Sequence, residues 1–320
     1  MVRIVRDEEI RSVLPLARIV AHLEDGYRAD ARGDVVPFPR QRIEARGTTL
    51  AFLGAALPSE DLLGFRSYLY NADGIDRGHQ VVALYGAKAG ELRALFVGRL
   101  VGNLRTGASI AAALHLVEPV LADVGLLGTG YQARNALVCL RAVFPRLHLI
   151  AWSPSAAHRT AFQRWASSAL GADVELARDA GEVVRRARAV VLTTSAESPV
   201  LTPETAPEPR LLLSLSAYRR PELAPALLDR APRVWTDSVA QASAPGTLFE
   251  SAERRRKLRP LAEGLDDGRL RDGRQTRIIL NTGAAWEEVV VAEALLELAI
   301  ASGIGTDLEL RAGRDEPTVF

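Results

Sequence analysis

A glycine-containing stretch between residues 123 and 140 has the residue types and spacing to hold a pyrophosphate. It reads Asp123-Val-Gly-Leu-Leu-Gly-Thr-Gly-Tyr-Gln-Ala-Arg134, a short apolar run followed by helical apolar spacing. Gly128 would allow a tight turn, and Gly130 would let the backbone approach a pyrophosphate at the helix N-terminus. Ala133 stands where only a small side chain fits between helix and strand. The GxGxxA spacing therefore predicts a dinucleotide-binding turn.

Further polar residues follow the predicted strands at the sheet edge where ligands bind. With Thr106 ahead of the turn, the candidate cofactor-binding residues are Thr106, Gly128, Thr129, Gly130, Tyr131, Gln132, Ser153, Ser155, Arg159, Thr194 and Ser195. Ser153 stands where NAD-preferring sites usually carry a carboxylate for the ribose hydroxyls. Because no carboxylate would repel a 2′-phosphate there, and Arg159 could pair with one, we expect NADP(H) to be favoured over NAD(H). Ser155 also fits a helix N-cap, and both roles can hold.

Arg105 is the candidate anion ligand outside the glycine turn. It lies in Leu104-Arg-Thr-Gly-Ala108, at or near the start of a predicted alanine-rich helix over 106–116. A guanidinium between two domains is well placed to hold a ligand carboxylate through two parallel hydrogen bonds. The pattern alone leaves open the alternative of a surface arginine.

Alternating strand-like and helix-like segments begin at Val120 and continue to Asp237. Strands are predicted at 124–127, 147–152, 173–176, 189–193, 211–215 and 233–236, with helices at 132–143, 155–170, 180–187 and 220–230. Six strands with helical crossovers indicate an α/β fold with a doubly wound parallel Rossmann sheet. We assign residues 118–281 to this dinucleotide-binding domain.

The flanking segments form a different pattern. A helix is predicted over 11–31, and five short strand-like pieces between 35 and 101 indicate a small antiparallel sheet. After Asp237 the chain turns irregular, with a charged helix near 252–264 and a last amphipathic helix over 285–301 that stops at Gly303. Residues 1–117 together with 282–320 are therefore expected to form one discontinuous α+β domain.

Composition narrows the class of protein. The chain has 320 residues, 48% hydrophobic, and its 40 Lys plus Arg against 39 Asp plus Glu give no reason to expect a nucleic-acid or membrane partner. The single cysteine, Cys139, excludes an intrachain disulfide and fits a buried thiol, and the five histidines show no metal spacing. The N-terminal segment lacks the apolar core of a signal peptide, and no uncharged stretch is long enough to span a bilayer, so we expect a cytoplasmic protein.

Several motifs together resemble the ornithine cyclodeaminase/μ-crystallin family, and the resemblance covers nearly the whole chain. They are the Arg105 motif, the alanine-rich helix after it, and Gly125-Leu-Leu-Gly-Thr-Gly-Tyr-Gln-Ala at this spacing. Gly64-Phe-Arg-Ser-Tyr is similar to a family strand that normally reads G-V-K. Pro39-Arg40 is similar to the first substrate-binding arginine, with Arg42 as the alternative. Asn281-Thr-Gly-Ala-Ala-Trp-Glu-Glu-Val is similar to the S-x-G-x-A-x-x-D segment that opens the last helix.

The resemblance implies a function and an assembly. It implies a homodimer whose interface is built by the discontinuous domain, which also binds substrate. It implies NAD(P)-dependent chemistry at the Cα–N bond of an amino or imino acid, with hydride moving between nicotinamide and Cα. Arg40, Arg66 and Arg105 would hold the substrate carboxylate, and residues 71–79 would contribute to the substrate pocket.

Two departures from the family pattern favour imine reduction. Arg66 replaces a lysine; it keeps the charge but cannot shuttle a proton. Ser216 falls on the aspartate of a G-A-D-x-P-G-K-x-E-L segment, as in ketimine reductases, and an uncharged residue suits a neutral imine. Glu288 is a candidate proton donor or supporting group, or else an exposed acid in a first helical turn. The alternatives are an ornithine cyclodeaminase, an opine-type dehydrogenase, or a binding protein that kept the cofactor and lost catalysis.

Overall fold

The protein, seen in a computed structural model, has two β-sheets that draw on different parts of the chain. The structure describes residues 1–11, 14–71, 80–208, 210–220 and 222–309. The strands of the first sheet come from residues before 98 and after 305, and those of the second from residues 123–280. The domain boundaries at 117/118 and 281/282 remain a prediction. Most of residues 71–79, expected in the substrate pocket, lie outside the described part.

The first sheet has seven strands in the order β15-β1-β6-β5-β4-β3-β2. They are β1 (Val2–Arg6), β2 (Val36–Ala45), β3 (Thr48–Leu57), β4 (Leu62–Asn71), β5 (Val81–Gly86), β6 (Leu92–Val97) and β15 (Thr306–Leu308). From β2 to β6 all neighbours are antiparallel, as predicted. The sheet is nevertheless mixed, because β1 runs parallel to β6. Neither β1 nor β15 was predicted, since each is short and interrupted by charged residues.

The second sheet has eight parallel strands in the order β13-β12-β14-β11-β10-β7-β8-β9, which confirms the doubly wound α/β fold. They are β7 (Asp123–Leu127), β8 (His148–Trp152), β9 (Val174–Leu176), β10 (Ala189–Leu192), β11 (Leu211–Ser214), β12 (Val234–Thr236), β13 (Leu258–Pro260) and β14 (Arg277–Leu280). The six predicted strands are present. The prediction of an irregular chain after Asp237 missed two, including β14 at the centre of the sheet between β11 and β12.

The described helices fill the space around the two sheets. They are α1 (Asp7–Ile10), α2 (Leu16–Ala31), α3 (Leu100–Val117), α4 (Tyr131–Val143), α5 (Ala156–Leu170), α6 (Ala180–Arg186), α7 (Pro225–Arg230), α8 (Val239–Ala242), α9 (Ala252–Arg255), α10 (Leu261–Asp266) and α11 (Ala285–Ala301). The helix predicted over 252–264 is wrong: β13 separates α9 from α10, and Pro260 cannot continue a helical hydrogen-bond ladder. The helix predicted over 220–230 begins only at Pro225, since proline fits the first helical turn.

Two long helices form the core around the first sheet. Most residues of α3 and α11 are buried; α11 packs on β3 and β4, and α3 packs on α2, α4 and α11. By length and composition α3 could cross a membrane, but 78% of it is buried inside the protein, as in a core helix of a soluble fold. Cys139 lies in this core, where burial raises the pKa of its thiol to about 12, so the expected buried thiol is confirmed.

Candidate active site

The dinucleotide turn connects β7 to α4 with the geometry that its glycines require. Gly128 has φ +100°, and a Cβ there would lie 2.8 Å from Thr193 Oγ1 and 2.9 Å from the Thr193 carbonyl oxygen. Gly130 precedes α4, and no protein atom lies within 4 Å of a Cβ built on it. The backbone before α4 therefore faces open space, and Tyr131 and Gln132 begin the helix whose N-terminus attracts a phosphate. The residues present fit a dinucleotide.

The loop after β8 forms one side of this space. Buried Thr129 and Ser153 share a hydrogen bond of 2.8 Å between their hydroxyls. The Ser155 hydroxyl accepts the backbone N–H of His158 at 3.3 Å, which confirms the predicted N-cap of α5. Arg159 Nη1 donates to the carbonyls of Ser153 and Pro154. These bonds hold the Arg159 guanidinium at the place predicted to meet a 2′-phosphate.

Glu222 organises the loops after β10 and β11. Its fully buried carboxylate accepts the backbone N–H and the hydroxyl of Thr194 at 2.9 and 2.6 Å. The other oxygen accepts the hydroxyls of Ser214 at 2.5 Å and Ser216 at 3.4 Å. Ser216 also donates to the Thr194 carbonyl at 3.1 Å, and the neighbouring Ser195 carbonyl accepts from Arg220. This role of Glu222 was not predicted; its signal in the sequence is a lone acid that follows a serine-rich strand end.

Arg66 from β4 and Arg105 from α3 meet at Glu288 of α11. Glu288 Oε1 lies 2.5 Å from Arg66 Nη1 and 2.9 Å from Arg105 Nε. The second terminal nitrogen of Arg66 donates to Gln80, and its guanidinium lies 4.5 Å from the centre of the Tyr68 ring. Side-chain exposure is 8% for Arg66, 12% for Arg105 and 1% for Glu288. The three side chains therefore form one buried cluster, hereafter the arginine–glutamate cluster.

Two expectations about this cluster are wrong. Arg105 does not begin a helix, because α3 starts at Leu100 and places Arg105 in its second turn, with the side chain turned inward. The surface-arginine alternative fails with it. Glu288 does lie in the first turn of α11, but it is buried and not an exposed acid. Both errors have one cause. Which side of a helix is buried depends on the tertiary fold, and the local sequence pattern does not show it.

The charges in the cluster can be assigned from their surroundings. Burial opposes ionisation of Glu288, but the attraction of Arg66 and Arg105 outweighs it and lowers the pKa of Glu288. The ionised carboxylate is then a hydrogen-bond acceptor for the two arginines rather than a proton donor. The neighbouring Glu287 is different, because burial and the negative charge of Asp237 raise its pKa well above the usual range. Its Oε2 lies 3.7 Å from Arg105 Nη1, too far for a hydrogen bond that would offset burial.

The cluster therefore carries one net positive charge. Two guanidinium groups face one ionised carboxylate, while the raised pKa of the neighbouring Glu287 favours its neutral form. No hydrogen bond within the described residues uses Arg105 Nη2, so this arginine keeps donor capacity for a ligand. A single carboxylate on a ligand would neutralise the site.

Glu287 gives a pH-dependent prediction. A carboxyl group whose pKa is raised by folding contributes stability below its unfolded pKa, about 4.3, and that stability is lost as pH rises toward the folded pKa. Glu287→Gln keeps an acceptor for the Tyr27 hydroxyl, which lies 3.2 Å from Glu287 Oε1, and removes the titration. We expect its melting temperature to exceed that of the parent by a margin that widens from about pH 5 to pH 8. Exposed Glu253 is the control: Glu253→Gln should leave the profile unchanged, and an equal slope in parent and Glu287→Gln would contradict the assignment.

Arg40, and not Arg42, is joined to the cluster. Arg40 Nη2 donates to the Gly283 carbonyl at 3.2 Å, and a Cβ on Gly283 would lie 2.5 Å from Arg105 Nη1. Arg42 is exposed, and its Nε donates to the Tyr70 hydroxyl at 3.1 Å. The pairing of β2 with β3 shifts register between Phe38 and Gln41, and such a bulge redirects the side chains within it. The sequence could not show this irregularity.

Asp237 fixes the start of α11 from the end of β12. Its carboxylate accepts the backbone N–H groups of Thr282 at 2.8 Å, Gly283 at 2.7 Å and Ala284 at 2.9 Å. These donors belong to the turn that ends at Ala284, the N-cap of α11, and a negative charge is favourable next to a helix N-terminus. Asp237 therefore sets the position of the turn that carries Glu288.

A dinucleotide turn on a doubly wound sheet, beside a second domain that buries two arginines, is the arrangement of a nicotinamide-dependent oxidoreductase. More specifically, this chain belongs to the ornithine cyclodeaminase/mu-crystallin family, whose model matches residues 2–303. The resemblance seen in the sequence is thereby confirmed. The protein is an NAD(P)-dependent oxidoreductase acting on carbon–nitrogen bonds.

Two relatives illustrate the similarity. The iminosuccinate reductase of Paracoccus denitrificans is 27% identical over 328 residues, covering 96% of this chain and 99% of that protein. Its crystal structure in complex with NAD+ has a TM-score of 0.82 at 24% identity, covering 97% and 99% of the two chains. The Thermococcus litoralis Delta(1)-pyrroline-2-carboxylate reductase, in complex with NADH and L-proline, has a TM-score of 0.80 at 18% identity, covering 96% and 100%.

Proposed function

We propose that this protein reduces the C=N bond of a small imino acid with NAD(P)H. The observation that carries the proposal is the arginine–glutamate cluster, which lies beyond the dinucleotide turn and is complementary to one carboxylate. A relative over nearly the full length is named as an iminosuccinate reductase, and one over 72% of the chain as a Delta(1)-pyrroline-2-carboxylate reductase, which supports the reaction type. The particular imino acid is left to experiment.

The chain's own residues would bind and orient the substrate. Arg105, with unused donors, would hold the α-carboxylate together with Arg66, and Arg40 would approach from beyond Gly283. Glu288 keeps the two inner guanidinium groups in place, so little ordering remains to be done on binding. The cofactor, when bound, supplies the hydride. Residues Gly128 to Gln132 would hold its pyrophosphate, while the loops ordered by Glu222 border the space beyond.

Ser216 supports imine reduction over cyclodeamination. Its hydroxyl is half-buried at the end of β11 and is held by Thr194 and Glu222. It offers a neutral hydrogen-bonding group and no charge for a second substrate ammonium group. An ornithine cyclodeaminase needs such a partner, so that alternative is less favoured. An opine-type dehydrogenase remains the competing function, and the alternative of a binding protein without activity is set aside because the relatives are named as reductases.

The experiment is NAD(P)H oxidation with a panel of cyclic and acyclic imino acids. Saturable turnover with at least one of them supports the proposal. Tight cofactor binding without turnover of any imine would contradict it and favour the binding protein. Turnover only with a 2-oxo acid and a second amino acid together would identify an opine-type dehydrogenase instead.

We also propose that NADP(H) is preferred, on the basis of Ser153 and Arg159. Ser153→Asp places a carboxylate at the end of β8, where it would repel a 2′-phosphate and bind ribose hydroxyls. We expect this change to weaken NADPH about tenfold or more and to affect NADH much less, as measured by titration of both cofactors. A parent protein that binds NADH more tightly than NADPH would refute the preference.

Finally, we propose a homodimer formed through the outer face of the first sheet. Large apolar side chains on β2, β3 and β4 point away from the core on one face: Ile43, Leu50, Phe52, Leu63 and Leu69. A contiguous apolar surface of this kind usually marks a protein–protein contact. Ile43→Asp combined with Phe52→Asp should convert a dimer to a monomer in light-scattering measurements. Val120→Asp, at a more exposed site elsewhere, is the control; monomeric parent protein would exclude the dimer.

A further inference from the structure

A cavity outside the arginine–glutamate cluster, hereafter the outer cavity, lies between β2 and the segments that follow β11 and β12. It has a volume of about 530 Å³, within the range of ligand-binding pockets. Arg40 and Arg42 line it from β2, Arg219 from the loop after β11, and Gln241 and Arg255 from the opposite side. None of the residues that hold the dinucleotide turn contributes to it.

The charge of the outer cavity is one-sided. Four of its 13 described lining residues are arginines and none is Asp or Glu, although the chain as a whole is balanced at 40 basic and 39 acidic residues. No carboxylate of the described residues lies within 4.0 Å of these four guanidinium groups. Instead Arg42 donates to the Tyr70 hydroxyl, and Arg255 donates to the Glu250 carbonyl. Among the described residues, these four positive charges therefore have no carboxylate partner.

The outer cavity is joined to the arginine–glutamate cluster through Gly283. Arg40 and Gln241 both donate to the Gly283 carbonyl, at 3.2 and 3.0 Å, and a Cβ on Gly283 would lie 2.5 Å from Arg105 Nη1. Arg40 Nε is also buried and has no hydrogen-bond partner among the described residues. A ligand held by Arg105 could therefore extend past Gly283 into the outer cavity.

We propose that the outer cavity binds a second acidic group of the substrate, so that the preferred substrates are imino acids with a side-chain carboxylate. This inference rests on the proposed imine reduction. The inner cluster has one net positive charge, which the α-carboxylate neutralises, and the outer arginines remain for a second anion. A cofactor phosphate does not account for them, because the dinucleotide turn follows β7, while β11 and β12 lie on the side of the sheet opposite β8. Guanidinium groups without carboxylate partners would disfavour an apolar side chain at the same place.

The test compares substrates that differ only in the distal group. Imines formed in solution from methylamine and 2-oxo acids of equal chain length provide two pairs, 2-oxobutyrate with oxaloacetate and 2-oxopentanoate with 2-oxoglutarate. We expect kcat/KM to be about tenfold or more higher for the diacid, since one charge-assisted hydrogen bond has this effect. Arg219→Ala and Arg42→Ala should each reduce the diacid-to-monoacid ratio several-fold. Arg146→Ala, an exposed arginine on the far side of the nucleotide-binding sheet, is the control and should leave the ratio unchanged.

The outcomes separate this inference from the proposed function. Equal kcat/KM for diacid and monoacid would overturn the second-acid site and leave imine reduction standing. A diacid preference that survives both arginine substitutions would also overturn it, because the preference would then arise elsewhere. If no imine is reduced, binding decides: succinate should raise the melting temperature of the NADPH-loaded parent more than butyrate does. That difference should shrink in Arg219→Ala, and equal effects of the two acids would refute the site.

Discussion

Arg105→Ala is expected to lower kcat/KM for imine reduction by about 10²-fold or more, since each charge-assisted hydrogen bond contributes about 1.5–3 kcal/mol. The side chain is 12% exposed and has donors left beyond its bond to Glu288. Its removal takes away those donors and also one of the two arginines that hold the Glu288 carboxylate. The cluster would then have no net positive charge, and a substrate carboxylate would enter a partly desolvated site without compensation.

Two further variants make this result specific. Arg105→Lys should recover only part of the activity, because an ammonium group keeps the charge but lacks the planar fork. Arg146→Ala, on the surface, should behave like the parent. Steady-state kinetics and NADPH titration on the same samples distinguish substrate binding from cofactor binding. Equal losses in kcat/KM and in NADPH affinity would indicate that Arg105 binds the cofactor. Unchanged activity in Arg105→Ala would refute its role as the substrate anchor.

Gly130→Val is expected to weaken NADPH binding by about 10²-fold or more while leaving the fold intact. The loss of two hydrogen bonds to the phosphates would lower the affinity by about this factor. The structure makes this the better test of the turn than Gly128. A side chain on Gly128 would collide with Thr193 and strain a φ of +100°, so the fold itself would suffer. A Cβ on Gly130 has no atom of the described residues within 4 Å, so a side chain there would extend into the space before α4. Loss of binding would then come from exclusion of the pyrophosphate.

The control is Gly273→Val in a surface turn, where the nearest atom to a built Cβ is 3.9 Å away. Both variants should unfold at temperatures close to that of the parent, and only Gly130→Val should lose affinity in a fluorescence titration with NADPH. A Gly130→Val protein that binds dinucleotide as well as the parent would show that the turn is not the cofactor site.

The dinucleotide turn was predictable because everything that defines it is local. Strand, glycines and helix lie within 20 residues, and the position of each glycine follows from backbone geometry that does not depend on the rest of the fold. The N-cap at Ser155 was predictable for the same reason. The last helix was also correctly placed, since helical apolar spacing over 285–301 and Gly303 mark its ends.

The arginine–glutamate cluster was not predictable from local pattern. Arg66 and Glu288 are 222 residues apart, and Arg105 and Glu288 are 183 apart, so only the packing of α11 against β4 and α3 brings them together. Family resemblance identified the three residues, but it could not show that they bond to one another or which of them is ionised. The choice between Arg40 and Arg42 depended on a bulge in β2. Strand β14 was missed because three apolar residues after Arg277 carry too little pattern to distinguish strand from loop.

The carboxylate of Asp237 has a mechanical consequence. It belongs to the end of β12 in the second sheet, yet it bonds three successive backbone N–H groups at the start of α11, which packs on the first sheet. These hydrogen bonds therefore join the second sheet to the turn that precedes α11, the helix that carries Glu288. Any rotation of one sheet relative to the other would pivot about these hydrogen bonds. The distance between the arginine–glutamate cluster and the end of β12 would then stay constant during the rotation.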